Sequence, residues 1–182
     1  MTAAADQQPR VLVVYESLFG NTADVAREVA AGMSDRAQVS VVEVQQAPAL
    51  PDESLDLVVV GAPTHAFSMS RPSTREDAVR QGADASHAGT GVREWMDALE
   101  SGPHRPRVAT FDTRVTKVRR IPGSAARRAA KIARHLGYSV ACPPESFYVE
   151  DVSGPLAEGE LARARVWGEH LAEVCCTAAA SR

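Results

Sequence analysis

Val13-Val14-Tyr15-Glu16-Ser17-Leu18-Phe19-Gly20-Asn21-Thr22 is the stretch whose reading decides the fold of this 182-residue chain. It opens at the end of Arg10–Tyr15, a short run of β-branched residues and Leu without alternation, which is the pattern of a parallel strand covered on both faces. Downstream, Val25, Ala26, Val29, Ala30 and Met33 recur at helical spacing through Asn21–Met33, with Asp24, Arg27 and Glu28 on the other side. A strand therefore feeds straight into a helix. The hydroxyls of Ser17 and Thr22, the Asn21 amide, a Gly20 that lets the backbone curl, and the free N–H groups of a helix N-terminus can surround a phosphate without any Lys or Arg. The same residues would also serve as an ordinary Ser/Asn cap on the helix.

The pattern repeats along the chain. Residues 39–44 and 55–62 read as a second and third strand, with Pro48 and Pro51 breaking the chain between them. Ser73-Thr74-Arg75-Glu76 reads as a capping box, and Gly82 stands ready to stop the short helix it begins. Residues 68–90 thus read as an insertion or lid after the third strand. Helical spacing resumes over 90–100, where Val92, Trp95, Met96 and Leu99 share a face and Trp95 belongs to the core. Residues 107–111 give a fourth strand, 124–136 a helix stopped by Gly137, 138–149 a fifth strand interrupted at Pro143-Pro144, and 158–176 a last helix. In that helix Leu161, Gly168, Leu171 and Cys175 form the inner stripe. Five strands alternating with helices imply an α/β domain: a doubly wound parallel sheet in three layers, with a ligand at the C-terminal ends of the strands. The domain is expected over 10–177, between a flexible leader at 1–9 and a tail at 178–182.

Composition removes other classes. Hydrophobic residues at 45% and charged residues at 24% are ordinary globular usage. The longest apolar runs, 11–15 and 57–62, fall far short of the ~20 residues of a membrane-spanning helix. The N-terminus lacks a basic region followed by an apolar core, so no secretory signal is read and a cytoplasmic, membrane-free protein is expected. Cys142, Cys175 and Cys176 are an odd count, two of them adjacent, and cannot form a disulfide framework. The five His are scattered, which leaves a metal site without local support. A triphosphate loop would need Gly-x-x-x-x-Gly-Lys-Ser/Thr and a dinucleotide loop Gly-x-Gly-x-x-Gly, and neither is present. Charge is uneven: residues 105–134 hold ten basic residues against Asp112, a net of +9, while the remainder carries −12. Nucleic acid is disfavoured as a partner, because aromatic interleaving is absent and the whole chain is acidic.

Val13-Val14-Tyr15-x-Ser17-x-x-Gly20-Asn21-Thr22-x-x-x-Ala26-x-x-Val29 resembles the phosphate-loop signature of the flavodoxin family. Gly61-Ala62-Pro63-Thr64-His65 resembles that family's loop after strand three, and Phe111-Asp112-Thr113-Arg114 lies where its second flavin loop would fall. The resemblance covers nearly the whole chain and implies a five-stranded sheet of order 2-1-3-4-5 with non-covalent flavin mononucleotide (FMN). By resemblance, Ser17, Phe19, Gly20, Asn21 and Thr22 would hold the phosphate. Pro63, Thr64, His65, Ala66 and Phe67 would flank the ring on one side, and Asp112, Thr113 and Arg114 on the other. His65, Phe67 and Met69 are stacking candidates, with packing on their own protein as the alternative for each; Asp112 could equally cap its loop or pair with Arg114. The family's usual acidity and second-loop aromatic are replaced here by Arg114, Lys117, Arg119 and Arg120. That substitution implies a less negative reduction potential. The implied activity is electron transfer through FMN to a redox partner protein or a small-molecule acceptor, with no catalytic side chain. Two alternatives remain: an NAD(P)H-dependent FMN reductase of quinones or similar acceptors, with Arg114 or Arg119 meeting the donor's phosphate, and a cofactor-free interaction module.

Overall fold

A computed structural model of the chain describes residues 8–49, 54–99 and 105–179. Most of the expected leader and the last three residues of the tail lie outside them. β1 (Arg10–Tyr15), β2 (Gln38–Glu43), β3 (Leu57–His65), β5 (Arg107–Val115) and β6 (Glu145–Val149) form a parallel sheet in the order β2-β1-β3-β5-β6. A sixth strand, β4 (Ser68–Met69), lies antiparallel to the end of β3. Counting only the parallel strands, this is the expected 2-1-3-4-5 order, with β4 as the one addition.

Helices cover both faces. α1 (Asn21–Met33) and α5 (Glu160–Ala179) lie on one side, above a core of Val11, Val13, Val25, Val29, Leu57, Phe111, Phe147 and Leu171. α3 (Val92–Asp97) and α4 (Ala125–His135) lie on the other, above Leu12, Val14, Val58, Val60, Trp95, Met96 and Ala129. Consecutive residues of β1 and β3 feed opposite cores, which is why these two strands read as continuous apolar runs. Trp95 is core as expected, 5% exposed, and its indole N–H donates to the Pro48 carbonyl at 2.9 Å. The backbones of α1 and α5 nearly touch. A Cβ on Gly32 would overlap the Arg165 carbonyl, and one on Gly168 the Val29 carbonyl.

Several boundaries differ from the sequence reading. β3 does not stop at Ala62, because Ala62 and Pro63 still pair with Asp112 and Thr113, and Thr64 and His65 then pair with Met69 and Ser68. β5 likewise continues through Asp112, Thr113 and Arg114 to Val115, pairing with β6. The two expected flavin loops are therefore strand ends rather than loops. α2 (Pro72–Arg80) has its cap two residues earlier than the expected capping box places it. Arg71 is its N-cap residue, and Thr74, not Ser73, closes the turn by accepting from the Arg71 N–H at 2.8 Å. Gly82 does end that segment, at φ +99. The expected C-terminal stop after the 90–100 helix, Gly102-Pro103, lies outside the described residues. In α5, Leu161 is 41% exposed, and Ala164 and Ala172 join Leu171 and Cys175 in the buried stripe instead.

Candidate functional site

At the C-terminal ends of β1, β3, β5 and β6 lies an open cleft of about 190 Å³. Ten of the thirteen residues singled out from the sequence line it. The head of α1 supplies Ser17, Phe19, Asn21 and Thr22, the end of β3 supplies Pro63, Thr64, His65 and Ala66, and β5 supplies Thr113 and Arg114. Val149, Val152 and Val115 close the far wall. Gly20 faces an adjoining hollow on the other side of the loop, shared with Tyr15, Arg27, Asp84 and His87.

The loop between β1 and α1 is arranged by a few bonds. Glu16 N–H donates to the Gly61 carbonyl at 2.9 Å, and Ser17 Oγ accepts from the Ala23 N–H at 3.2 Å. Gly20 takes φ +90, a conformation that disfavours any side chain, and its carbonyl accepts the Asp24 N–H. Among the described residues nothing accepts from the main-chain N–H groups of Leu18, Phe19, Gly20, Asn21 or Thr22. Five such donors on one loop at a helix N-terminus have the chemistry to receive an anion. The side chains of Asn21 and Thr22 are engaged elsewhere: Asn21 Nδ2 donates to the Ser153 carbonyl at 3.2 Å, and the Thr22 and Thr113 hydroxyls share a bond of 2.8 Å. Gly154, at φ +103, admits the Asn21 amide where a Cβ would come within 2.6 Å of it.

Alternation along β5 separates its three candidates. Thr113 points to the α1 side and reaches Thr22, whereas Asp112 points to the α4 side and is fully buried there, accepting from the Ala126 N–H at 2.9 Å. Asp112 is thus a cap on α4 rather than a wall of the cleft. Burial pushes its carboxyl above the ordinary range, against the pull of Ser124, the Ala126 N–H, Ser146 and Arg114, and Oδ1 has no partner among the described residues. Arg114 is 6% exposed; its Nη2 donates to the carbonyls of Val118 and Ile121, while Nε has no partner among the described residues. It pins the 116–121 turn beside the cleft.

Ala66 and Phe67 form the two-residue reversal between β3 and β4, at φ 46 and φ 62. Such turns normally take Asn-Gly, so Ala and Phe here hold a strained backbone. Phe67 leaves the cleft wall and is 46% exposed. Burial, and then the Arg75 charge, hold the His65 imidazole below its usual range, so it is neutral at the cleft. Met69, 1% exposed, is core and not a stacking surface.

Glu16 is the residue sequence reasoning missed. It is 1% exposed, accepts from the Ser70 hydroxyl, and takes the Val92 N–H at 2.9 Å. Arg75 bonds the same Ser70 at 2.9 Å and pairs with Glu94 at 3.2 Å. This buried network ties the 68–94 segment to the foot of the anion loop. Its members are 54 and more residues from Glu16 in sequence, so no local signal announces them.

No family model matches the chain, and no curated protein matches it. Solved structures do. A flavodoxin from the domain Archaea is 19% identical, with a TM-score of 0.60 over 91% of this chain and 98% of that one. A Streptococcus pneumoniae flavodoxin is 15% identical, with a TM-score of 0.61 over 90% and 98%. A WrbA-like protein from Agrobacterium tumefaciens is 16% identical, with a TM-score of 0.56 over 92% and 97%. The chain has the flavodoxin-like fold.

Proposed function

We propose that this chain is an FMN-binding electron-transfer protein, and the observation that carries the reading is the set of five N–H groups, Leu18 to Thr22, on the loop beside the cleft that have no partner among the described residues. Dipolar donors with no lysine suit a dianionic phosphate ester. The residues present fit the group. The loop would hold the phosphate, the walls formed by Pro63 to Ala66 and Thr113 to Arg114 would flank the ring, and the apolar side chains of Val149 and Val152 would exclude water. The cleft is smaller than the ~300 Å³ of a pocket that encloses a drug-sized ligand, so a bound flavin would keep an exposed edge. When bound, the flavin supplies the redox chemistry, accepting and passing on electrons. The protein's part is to bind, orient and tune: neutral His65 adds no charge, whereas the Arg114 guanidinium favours a more negative cofactor.

A second reading is an NAD(P)H-dependent reductase of quinones or similar acceptors. It is favoured by one feature: His65, Ala66 and Val152 also line a neighbouring cavity of about 170 Å³ against α2, which leaves room for a small molecule beside the cleft. Titration of the purified protein with FMN, followed by flavin fluorescence and visible absorption, tests the first reading; saturable quenching at one equivalent per chain is expected. Lack of binding would leave a cofactor-free interaction module. Steady-state NADPH oxidation without a partner protein separates reductase from carrier.

A further inference from the structure

Seven exposed cations of 117–134 stand on α4 and on the turn that leads into it, the Arg119 guanidinium lying 5.4 Å from the centre of the Tyr148 ring. α4 buries Ala125, Ala126, Ala129, Ala130 and Ala133, so its outer stripe is Arg127, Arg128, Lys131 and Arg134. At 100° per residue these four span about 120° of the helix and about 10 Å of its length. Lys117, Arg119 and Arg120 stand on the turn that leads from β5 into α4 and are exposed as well. No acid occurs in 113–144, and among the described residues none of the seven cations has an ion-pair partner. Like charges at i, i+3 and i, i+4 repel, so the stripe works against the helix that carries it. Two exposed apolar side chains lie near it: Ile121, 43% exposed, on the turn itself, and Phe67, 46% exposed, against which Gly123 packs, where a Cβ would fall 2.8 Å from the Phe67 carbonyl.

We propose that this surface, with Ile121 and Phe67 near its apolar edge, docks a protein partner that presents clustered carboxylates. Arginine forks pair bidentately with carboxylates, and an apolar contact rimmed by charge is the anatomy of a specific interface. A compact protein covers the face alone. A long nucleic acid or an anionic bilayer extends beyond it and meets the remainder of the molecule, whose net charge is −10, the −3 of the whole chain less the +7 of 117–134. The inference goes beyond the flavin reading and holds for the protein with or without cofactor.

Fluorescence anisotropy of the full chain with two labelled probes tests it: a polyglutamate peptide, and a Glu-rich helical peptide carrying Leu on one face. Both are expected to bind, the Leu-bearing peptide more tightly, with affinity falling as salt rises. The charge-reversed variant R127E/K131E, altered only on an exposed stripe, is expected to lose about tenfold in affinity. Ile121→Ser is expected to abolish the advantage of the Leu peptide while leaving polyglutamate binding intact. Circular dichroism checks that both variants fold. Affinity unchanged by charge reversal would overturn the proposal. So would tighter binding to phosphatidylserine vesicles or to a short DNA duplex than to either peptide, or self-association of the chain alone in low-salt sedimentation that the reversal removes.

Discussion

The hydroxyls of Thr22 and Thr113 share a buried hydrogen bond of 2.8 Å that joins the first turn of α1 to β5. Each side chain comes from a different wall of the cleft, and 91 residues separate them. The bond sets the spacing between the anion loop and the strand wall. Thr22→Val should therefore cost about 1 kcal/mol of stability. It should weaken FMN binding more than that cost alone implies, read by flavin fluorescence titration beside a urea denaturation curve. Equal small effects on both would show that the bond holds the fold without shaping the cleft.

Glu16 has a carboxyl that burial pushes up, only partly offset by the Ser70 hydroxyl, the Val92 N–H and the Arg75 charge, with Glu94 raising it further. A group that holds its proton more tightly in the folded state contributes its full stability below its unfolded value and loses it as pH rises through the folded one. Acidification from about pH 8 toward the ordinary Glu range should thus strengthen this site's contribution. Comparison of denaturation midpoints across that range should show wild type gaining relative to Glu16→Gln. A constant difference between the two at every pH would count against it.

His65 behaves in the opposite sense. Its imidazole is held low by burial and by Arg75, so it contributes stability above its unfolded value that is lost as pH falls through the lower folded one. Among the histidine ring signals in a proton NMR titration, that of His65 should have its midpoint below about 6.5. Replacement by Phe identifies the signal.

Gly168 sits against the Val29 carbonyl with no space for a side chain. Gly168→Val should destabilise the protein by about 1–3 kcal/mol, or more if α5 cannot shift, measured as a lowered denaturant midpoint. Gly168→Ala should fall between it and wild type.

Arg114 lines the cleft and its guanidinium is buried there. A unit charge ~8 Å from a flavin at an effective dielectric of ~20 is worth about 2 kcal/mol, or about 90 mV for one electron. Arg114→Gln should move the potential of the FMN-loaded protein to more negative values by tens of millivolts. A potential that does not move would assign Arg114 to holding the 116–121 turn alone.

That the sheet is parallel was legible from runs such as Leu57-Val58-Val59-Val60, buried on both faces, whereas its strand order came from the family resemblance and β2, with no buried residue, shows no such run. The cleft was legible at the head of α1, where Ser17, Gly20, Asn21 and Thr22 are neighbours in sequence. What local pattern does not encode is pairing at a distance. Pro63 and Thr64 look like the start of a loop, yet β5 and β4 extend the ladder through them. Asp112 sits next to Thr113, and only the alternation of a strand, once the strand is known to continue, sends it to α4 instead. The α2 boundary was missed because Ser73 and Glu76 have the spacing of a box, whereas Pro72 is already the first helical residue. Glu16 showed nothing locally, since its partners Ser70 and Val92 arrive from the far side of the chain.

Where α1 meets α5, peptide groups lie directly against one another at Gly32 and Gly168. Bare main chain has no rotamers with which to absorb a displacement, so a tilt of the C-terminal helix would press directly on the helix whose opening turn bears Asn21 and Thr22.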